Sequence, residues 1–190
     1  SAILAANAVG RESEGDVAYA IAGVTIFGTI AMILFPVLGA GLSPHDYGLW
    51  AGASIHEVAQ VTAAGAQMGP EAAGFAAVAK LTRVALLAPV ILLMARGAGS
   101  SQARAPFPWF VLGFLAMVAL ALSGMVPDAA IKASVPLTQI LLAMGLAAMG
   151  LQTDVAALRA KGIRPLLLGA VAALFIAGLT FAMVMAAAQL

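Results

Sequence analysis

Cysteine is absent from this 190-residue chain, so neither a disulfide nor a thiolate metal site can form in it. Charge is scarce. Lys, Arg, Asp and Glu make up 9% of the residues, against roughly a quarter in ordinary soluble domains. The 9 basic and 8 acidic side chains leave a net charge of +1, and no basic stripe marks a nucleic-acid partner. Aromatic residues are few, at 6%. Trp50, Trp109, Tyr19 and Tyr47 fall near the ends of apolar runs, where interfacial anchoring is expected. The sequence opens without Met, and no signal peptide is expected within it. The chain opens inside the apolar run "SAILAANAV". The expectation is that residues 1–190 are the C-terminal portion of one longer transmembrane transporter domain, its N-terminal spans lying outside this sequence.

Apolar residues are what the chain has in quantity: 63% of the total, with a mean hydropathy of +1.06. Several runs reach the roughly 20 residues that a helix needs to cross a bilayer. They lack the polar–apolar alternation of barrel strands. The class is therefore an all-α, polytopic transmembrane helix bundle. Five spans are expected, over 17–38, 71–95, 106–126, 135–151 and 165–190. The loop 96–105 holds Arg96 and Arg104, and the loop 159–164 holds Arg159, Lys161 and Arg164. Two spans separate these loops, so both lie on one side. The positive-inside rule makes that side cytoplasmic and places the C-terminus outside.

Residues 48–66 are different. The stretch is apolar enough to enter a membrane, yet it carries Gly48, Gly52, Ser54, His56, Glu57, Gln60, Thr62 and Gly65. A glutamate or histidine facing lipid costs several kcal/mol, so the segment must face protein or water. Glycines weaken helices by about 1 kcal/mol each, and irregular backbone at membrane depth survives only in protected places. A discontinuous or re-entrant helix is predicted. With a break at Gly52–Ser54, the next helix would begin near Ser54 and offer its free N–H groups to an anion. His56 and Gln60, four apart, would share one face.

The following span carries Lys80 and Arg83, nine and twelve residues after Glu71. At 1.5 Å per residue that is roughly 14–18 Å deep, near mid-bilayer. Both cations are expected to pair with Glu57 or to meet something anionic. One glutamate cannot neutralise two cations, and an anionic substrate would complete the balance. A purely structural network of the three is the alternative. Thr62 and Thr82 are expected to bond their own helix backbone. "HEVAQ" is one residue short of the helical zinc motif H-E-x-x-H, but Gln60 is a poor ligand and no metal or cofactor is expected. "GLQTDVAAL" closes a span with Gln152, Thr153 and Asp154, which read equally as a helix end with an N-cap or as part of an ion path. A faint self-similarity lays "SAILAAN" on "SIHEVAQ", matching Ser1 with Ser54 and Asn7 with Gln60; internal repeats are common in transporters.

The blocks "IFGTIAMILFP", "GLWAGASIHEVAQVTAAG", "AKLTRVALLAPVILL" and "AAMGLQTDVAAL" with "KGIRPLLLG" resemble, in order along nearly the whole chain, the YeiH-like family of bacterial inner-membrane proteins. Members of that family are often labelled sulfate exporters. The opening "SAILAAN" is similar to the latter part of a family block that reads Cys-Gly, one residue, then Ser-Ala-Ile. The resemblance implies a secondary-transporter fold of inverted repeats, with discontinuous helices meeting near mid-membrane. It transfers no binding residue.

The expected function is secondary transport of a small inorganic or sulfonate-type anion across the inner membrane, with proton coupling. Ser54, His56, Glu57, Gln60, Lys80 and Arg83 would form the site, and Ser1, Asn7, Gln152, Thr153 and Asp154 would be secondary to it. The expected partners are the anion, the bilayer, the N-terminal half of the same protein and a second copy in a homodimer. One alternative is a cation or proton transporter using Glu57 and Asp154. Another is a non-transporting membrane scaffold. No nucleophile–base or metal constellation points to an enzyme.

Overall fold

The computed structural model describes residues 14–97, 109–151 and 162–189. Every element among them is a helix: α1 (Glu14–Leu38), α2 (Pro44–Ser54), α3 (Val58–Gln67), α4 (Pro70–Gly97), α5 (Trp109–Leu122), α6 (Asp128–Leu151) and α7 (Arg164–Ala187). Among the described residues three stretches are long and apolar enough to cross a membrane: Tyr19–Leu38, Asp128–Ala148 and Arg164–Ala187. A 24-residue helix such as α7 is about 36 Å long, enough for a hydrocarbon core of about 30 Å. The window in α6 has none of its residues buried. Large apolar side chains on the outside, such as Ile140, Met144 and Phe175, are what lipid requires and water forbids.

α6 starts earlier than the expected 135. Pro127 O accepts hydrogen bonds from the N–H groups of Ala130 and Ile131, at 2.9 and 3.2 Å, and Asp128 sits in the first turn, where the helix dipole favours a carboxylate. Pro136 consequently lies inside the helix, as do Pro36 in α1 and Pro89 in α4. Each removes one backbone donor and none ends its helix, as is common in membrane spans.

α1 and α7 run parallel. At one end Tyr19 Oη donates to Gly162 O at 3.1 Å. Further along, Phe27 packs on Gly169. Near the other end Phe35 stacks on Trp50 with ring centroids 4.2 Å apart, and Trp50 Nε1 donates to Ala177 O at 2.9 Å.

Between these helices the chain makes a re-entrant hairpin. α2 enters beside the C-terminal ends of α1 and α7, and α3 returns to the same side. Tyr47 Oη of α2 reaches Ala64 O of α3 at 3.1 Å. In one straight helix those residues, 17 apart in sequence, would be separated by about 25 Å. Gln67, at the end of α3, donates to Met32 O at 3.3 Å. α4 then descends alongside α2. Gly48 lies against Ala72 O and Phe75, and Gly52 against Ala76 O and Ala79. Small residues on both helices let the backbones approach closely.

The core is the hairpin itself: Tyr47, Trp50, Ala51, Ile55, Val61 and Ala64 are buried against Phe35, Ala72 and Ala76. Tyr47 and Trp50 therefore do not anchor at the interface as expected. Their rings fill the centre, and each polar atom finds a backbone carbonyl. α2 starts with Ser43, whose Oγ accepts from Asp46 N at 3.1 Å and donates to Asp46 Oδ2 at 2.7 Å. That reciprocal cap, followed by Pro44 at the first position, fixes where the chain turns into the membrane.

Candidate functional site

The tip of the hairpin is Ile55, His56 and Glu57. Ile55 (φ −63°, ψ 142°) and Glu57 (φ −109°, ψ 144°) are extended, and they cap the two helices. The tip lies at the middle of α1: Gln60, in the first turn of α3, packs against Thr25, Gly28 and Thr29. Two helix ends of opposite polarity thus meet there, the negative end of α2 and the positive end of α3.

α4 supplies two cations to the negative end. Lys80, 5% exposed, donates from Nζ to Ile55 O at 2.7 Å. Arg83 donates from a guanidinium nitrogen to Ala53 O. Both carbonyls belong to the last turn of α2 or its cap, which has no intrahelical donors left. The expected ion pair with Glu57 is not formed. Among the described residues the one ion pair is His45 with Asp46, 2.9 Å apart at the start of α2. The cations satisfy backbone instead, because the break lies directly beside them. Glu57 is half-buried and makes no side-chain cap to α3.

The positive end is open by comparison. The first hydrogen bond of α3 runs from Val61 N to Glu57 O at 3.0 Å. The N–H groups of Val58, Ala59 and Gln60 precede it, and no side chain caps them. These are the donors that the sequence assigned to the neighbourhood of Ser54. The correction is three to four residues. Ser54 ends α2, and its Oγ donates to Trp50 O at 2.7 Å and lies 2.6 Å from Thr180 Oγ1 of α7. It binds two helices together and does not face an N-terminus. His56 likewise shares no helical face with Gln60, since it sits in the break.

Two buried atoms in this region have no partner: His56 Nδ1 and Gln60 Oε1. Gln60 is fully buried. Its Nε2 makes only long contacts to Thr25 O and Thr29 Oγ1, at 3.3 and 3.4 Å. Gly28 makes room for it, since a Cβ there would stand 2.0 Å from Gln60 Oε1. Thr62 and Thr82 bond Val58 O and Val78 O, one helical turn back, as expected.

The structure brings together Ser54, His56, Glu57, Gln60, Lys80 and Arg83 around the tip. Ser1, Asn7, Gln152, Thr153 and Asp154 lie outside the described residues, as do Arg104, Arg159 and Lys161 of the basic loops. Sequence reasoning missed Thr25, Gly28, Thr29 and Thr180. A signal was present: Thr25 and Thr29 are four apart in an otherwise apolar span, and Thr180 is alone in another.

His56 also lines two cavities between α1 and α7. The larger, about 440 Å³, extends past Gly23 and Ala172 to Asp16 and Tyr19 at the start of α1. The other, about 310 Å³, extends past Ala31 and Ala173 towards Leu38.

Comparison with known proteins places this geometry in context. A family model described as "Conserved hypothetical protein 698" matches residues 1–169. The inner membrane protein YeiH of Salmonella typhi is 37% identical over 179 residues, covering 88% of this chain and 51% of that protein. YeiH of Escherichia coli K12 is 36% identical over 182 residues, covering 90% and 52%. A membrane protein of Pseudomonas aeruginosa is 38% identical over 187 residues, covering 90% and 53%. The chain spans about half the length of the curated relatives it matches. No solved structure matches.

Proposed function

The chain belongs to the conserved hypothetical protein 698 family, a group that includes the YeiH inner-membrane proteins, and from that premise we propose that it forms part of a secondary transporter for a small oxyanion of the sulfate or sulfite class. A multi-pass inner-membrane protein is the frame. One observation carries the proposal: the re-entrant tip ends at mid-membrane with the free N–H groups of α3 beside two cations and a single carboxylate. Oriented N–H groups and a surplus of positive charge favour an anion in a place where water is scarce. Val58, Ala59 and Gln60 would meet the anion through backbone. Lys80 and Arg83 would hold the tip in shape and supply the field. The sulfate–sulfite class rests on the family resemblance.

A second reading has its own observation. Glu57 has neither an ion pair nor a capping bond at the tip, so it is available to a cation or proton. Proteoliposomes of the full chain separate the two. Uptake of radiolabelled sulfate and sulfite is measured with and without a pH gradient, for the parent, Lys80→Met and Glu57→Gln. Anion flux that Lys80→Met loses and Glu57→Gln retains supports the first reading. Gradient-driven flux abolished by Glu57→Gln supports the second. A folded protein that moves neither anion overturns the first.

A further inference from the structure

We propose that the solute path runs between α1 and α7, and that Phe27 and His56 form the constriction dividing it into two vestibules. The inference rests on the transport reading and names residues which that reading does not use.

Two residues line both cavities, Phe27 and His56. Phe27 belongs to α1 and His56 to the re-entrant tip. All other residues of the cavities divide between the two ends. On α7 the two linings interleave over one turn: Gly169 and Ala172 face the larger cavity, Ala170 and Ala173 the smaller. Gly169 fixes the ring of Phe27, because a Cβ there would stand 2.8 Å from Phe27 Cε2. No side chain of ordinary size at 169 would leave the ring in place.

The two vestibules differ in character. The larger has Asp16 and Tyr19 at its outer end and His56 at its inner end. Its volume would hold roughly fifteen waters at about 30 Å³ each. The smaller is lined by Leu34, Phe35, Leu174 and Ala177, with Ser54 and His56 as its polar contacts. A bulky ring such as Phe27, set in a mostly apolar lining, excludes water and small ions without a steric plug. The geometry is therefore that of two vestibules in series, one reached from the start of α1 and the other from its end, parted at Phe27 and His56. Of the tip residues, His56 lines both vestibules and Ser54 lines the smaller one.

Cysteine accessibility tests this directly, because these 190 residues contain no Cys. Gly23→Cys and Ala172→Cys report on the larger vestibule, and Ala31→Cys and Ala173→Cys on the smaller. A Cβ at Gly23 meets nothing within 4 Å. Each variant of the full chain is exposed in membrane vesicles to a membrane-impermeant thiol reagent, from each side in turn, with the parent as background. From the side where α1 starts, Gly23→Cys and Ala172→Cys are labelled, and Ala31→Cys and Ala173→Cys are not. Adding Phe27→Ala to Ala173→Cys produces labelling from that side. Labelling of none of the four, or of all four alike, overturns the proposal, and these single variants decide it even if Phe27→Ala fails to fold. Anion flux without the labelling pattern sinks the path alone. The labelling pattern without anion flux sinks the substrate reading and leaves the path standing.

Discussion

Gly52→Ala tests the packing that presents the tip. The new Cβ would lie 2.4 Å from Ala76 O and 2.8 Å from Ala79 Cβ. A carbon and a carbonyl oxygen approach to about 3.3 Å at the closest in packed helices. α2 and α4 must therefore part by about 0.9 Å at this level, and both contacts are on helices that cannot swing aside. Over-packing of this kind costs typically 1–3 kcal/mol. The displacement carries to the tip. Lys80 Nζ to Ile55 O is 2.7 Å, and an opening of about 0.9 Å takes it to about 3.6 Å, where it is no longer a hydrogen bond. Unfolding of the purified full chain by denaturing detergent in mixed micelles should show Gly52→Ala less stable by about 2 kcal/mol. Gly74→Ala is the control: α4 has open space there, so the change should be neutral or stabilising by up to about 1 kcal/mol. Equal stability of Gly52→Ala and the parent would refute the close α2–α4 contact, and with it the placement of Lys80 on the tip.

Gly28→Ala should displace the Gln60 side chain, and Gln60→Ala should relieve the clash. A double-mutant cycle in the same unfolding assay is expected to give a coupling of about 1–2 kcal/mol, and strictly additive effects would refute the slot. Ser54→Ala and Thr180→Val each break the link between α2 and α7, so either alone should destabilise by about 1 kcal/mol, with the pair costing less than the sum. Asp46 lies at the membrane-surface end of α2. Its carboxyl is held below the ordinary value of 3.8 by the Ser43 hydrogen bond first and by His45 second. A depressed folded pKa means stability that is present above 3.8 and lost as the pH falls through the lower folded value. Asp46→Asn should remove that acid-side loss, and an unchanged pH profile of unfolding would contradict the cap.

The helical class, the membrane setting and the polar hairpin were legible because their costs are large and local. Lipid cannot hold the His56–Glu57–Gln60 cluster, so a protected element had to contain it. Its turn was harder to place. Glycines suggested a break at Gly52–Ser54, but Gly48 and Gly52 are there to let α4 approach. The actual break uses Ile55 and Glu57 at negative φ, a conformation that any residue adopts and that leaves no mark in composition. Tyr47 and Trp50 misled for a similar reason. Amphipathic rings suit an interface, but they suit a core equally well when a backbone carbonyl stands at the polar tip.

The two cations show what a count of side chains omits. Lys80 and Arg83 against Glu57 leave one positive charge over, and from the sequence that surplus called for an anion touching the cations themselves. Backbone supplies the missing part. The C-terminus of α2 carries about half a negative charge and the N-terminus of α3 about half a positive one. The cations bond the first of these. The two half charges cancel in the total, so the surplus survives, but its place changes. It is expressed on the α3 side of the tip, at the N–H groups of Val58, Ala59 and Gln60, four to six residues beyond Ser54. A ligand that completes the balance therefore meets backbone donors first and feels Lys80 and Arg83 through the tip they hold. On this reading Arg83→Lys, which keeps the charge but replaces the guanidinium that donates to Ala53 O with a shorter ammonium, should weaken anion flux by loosening the tip, and full retention of flux would show that charge alone is what the site requires.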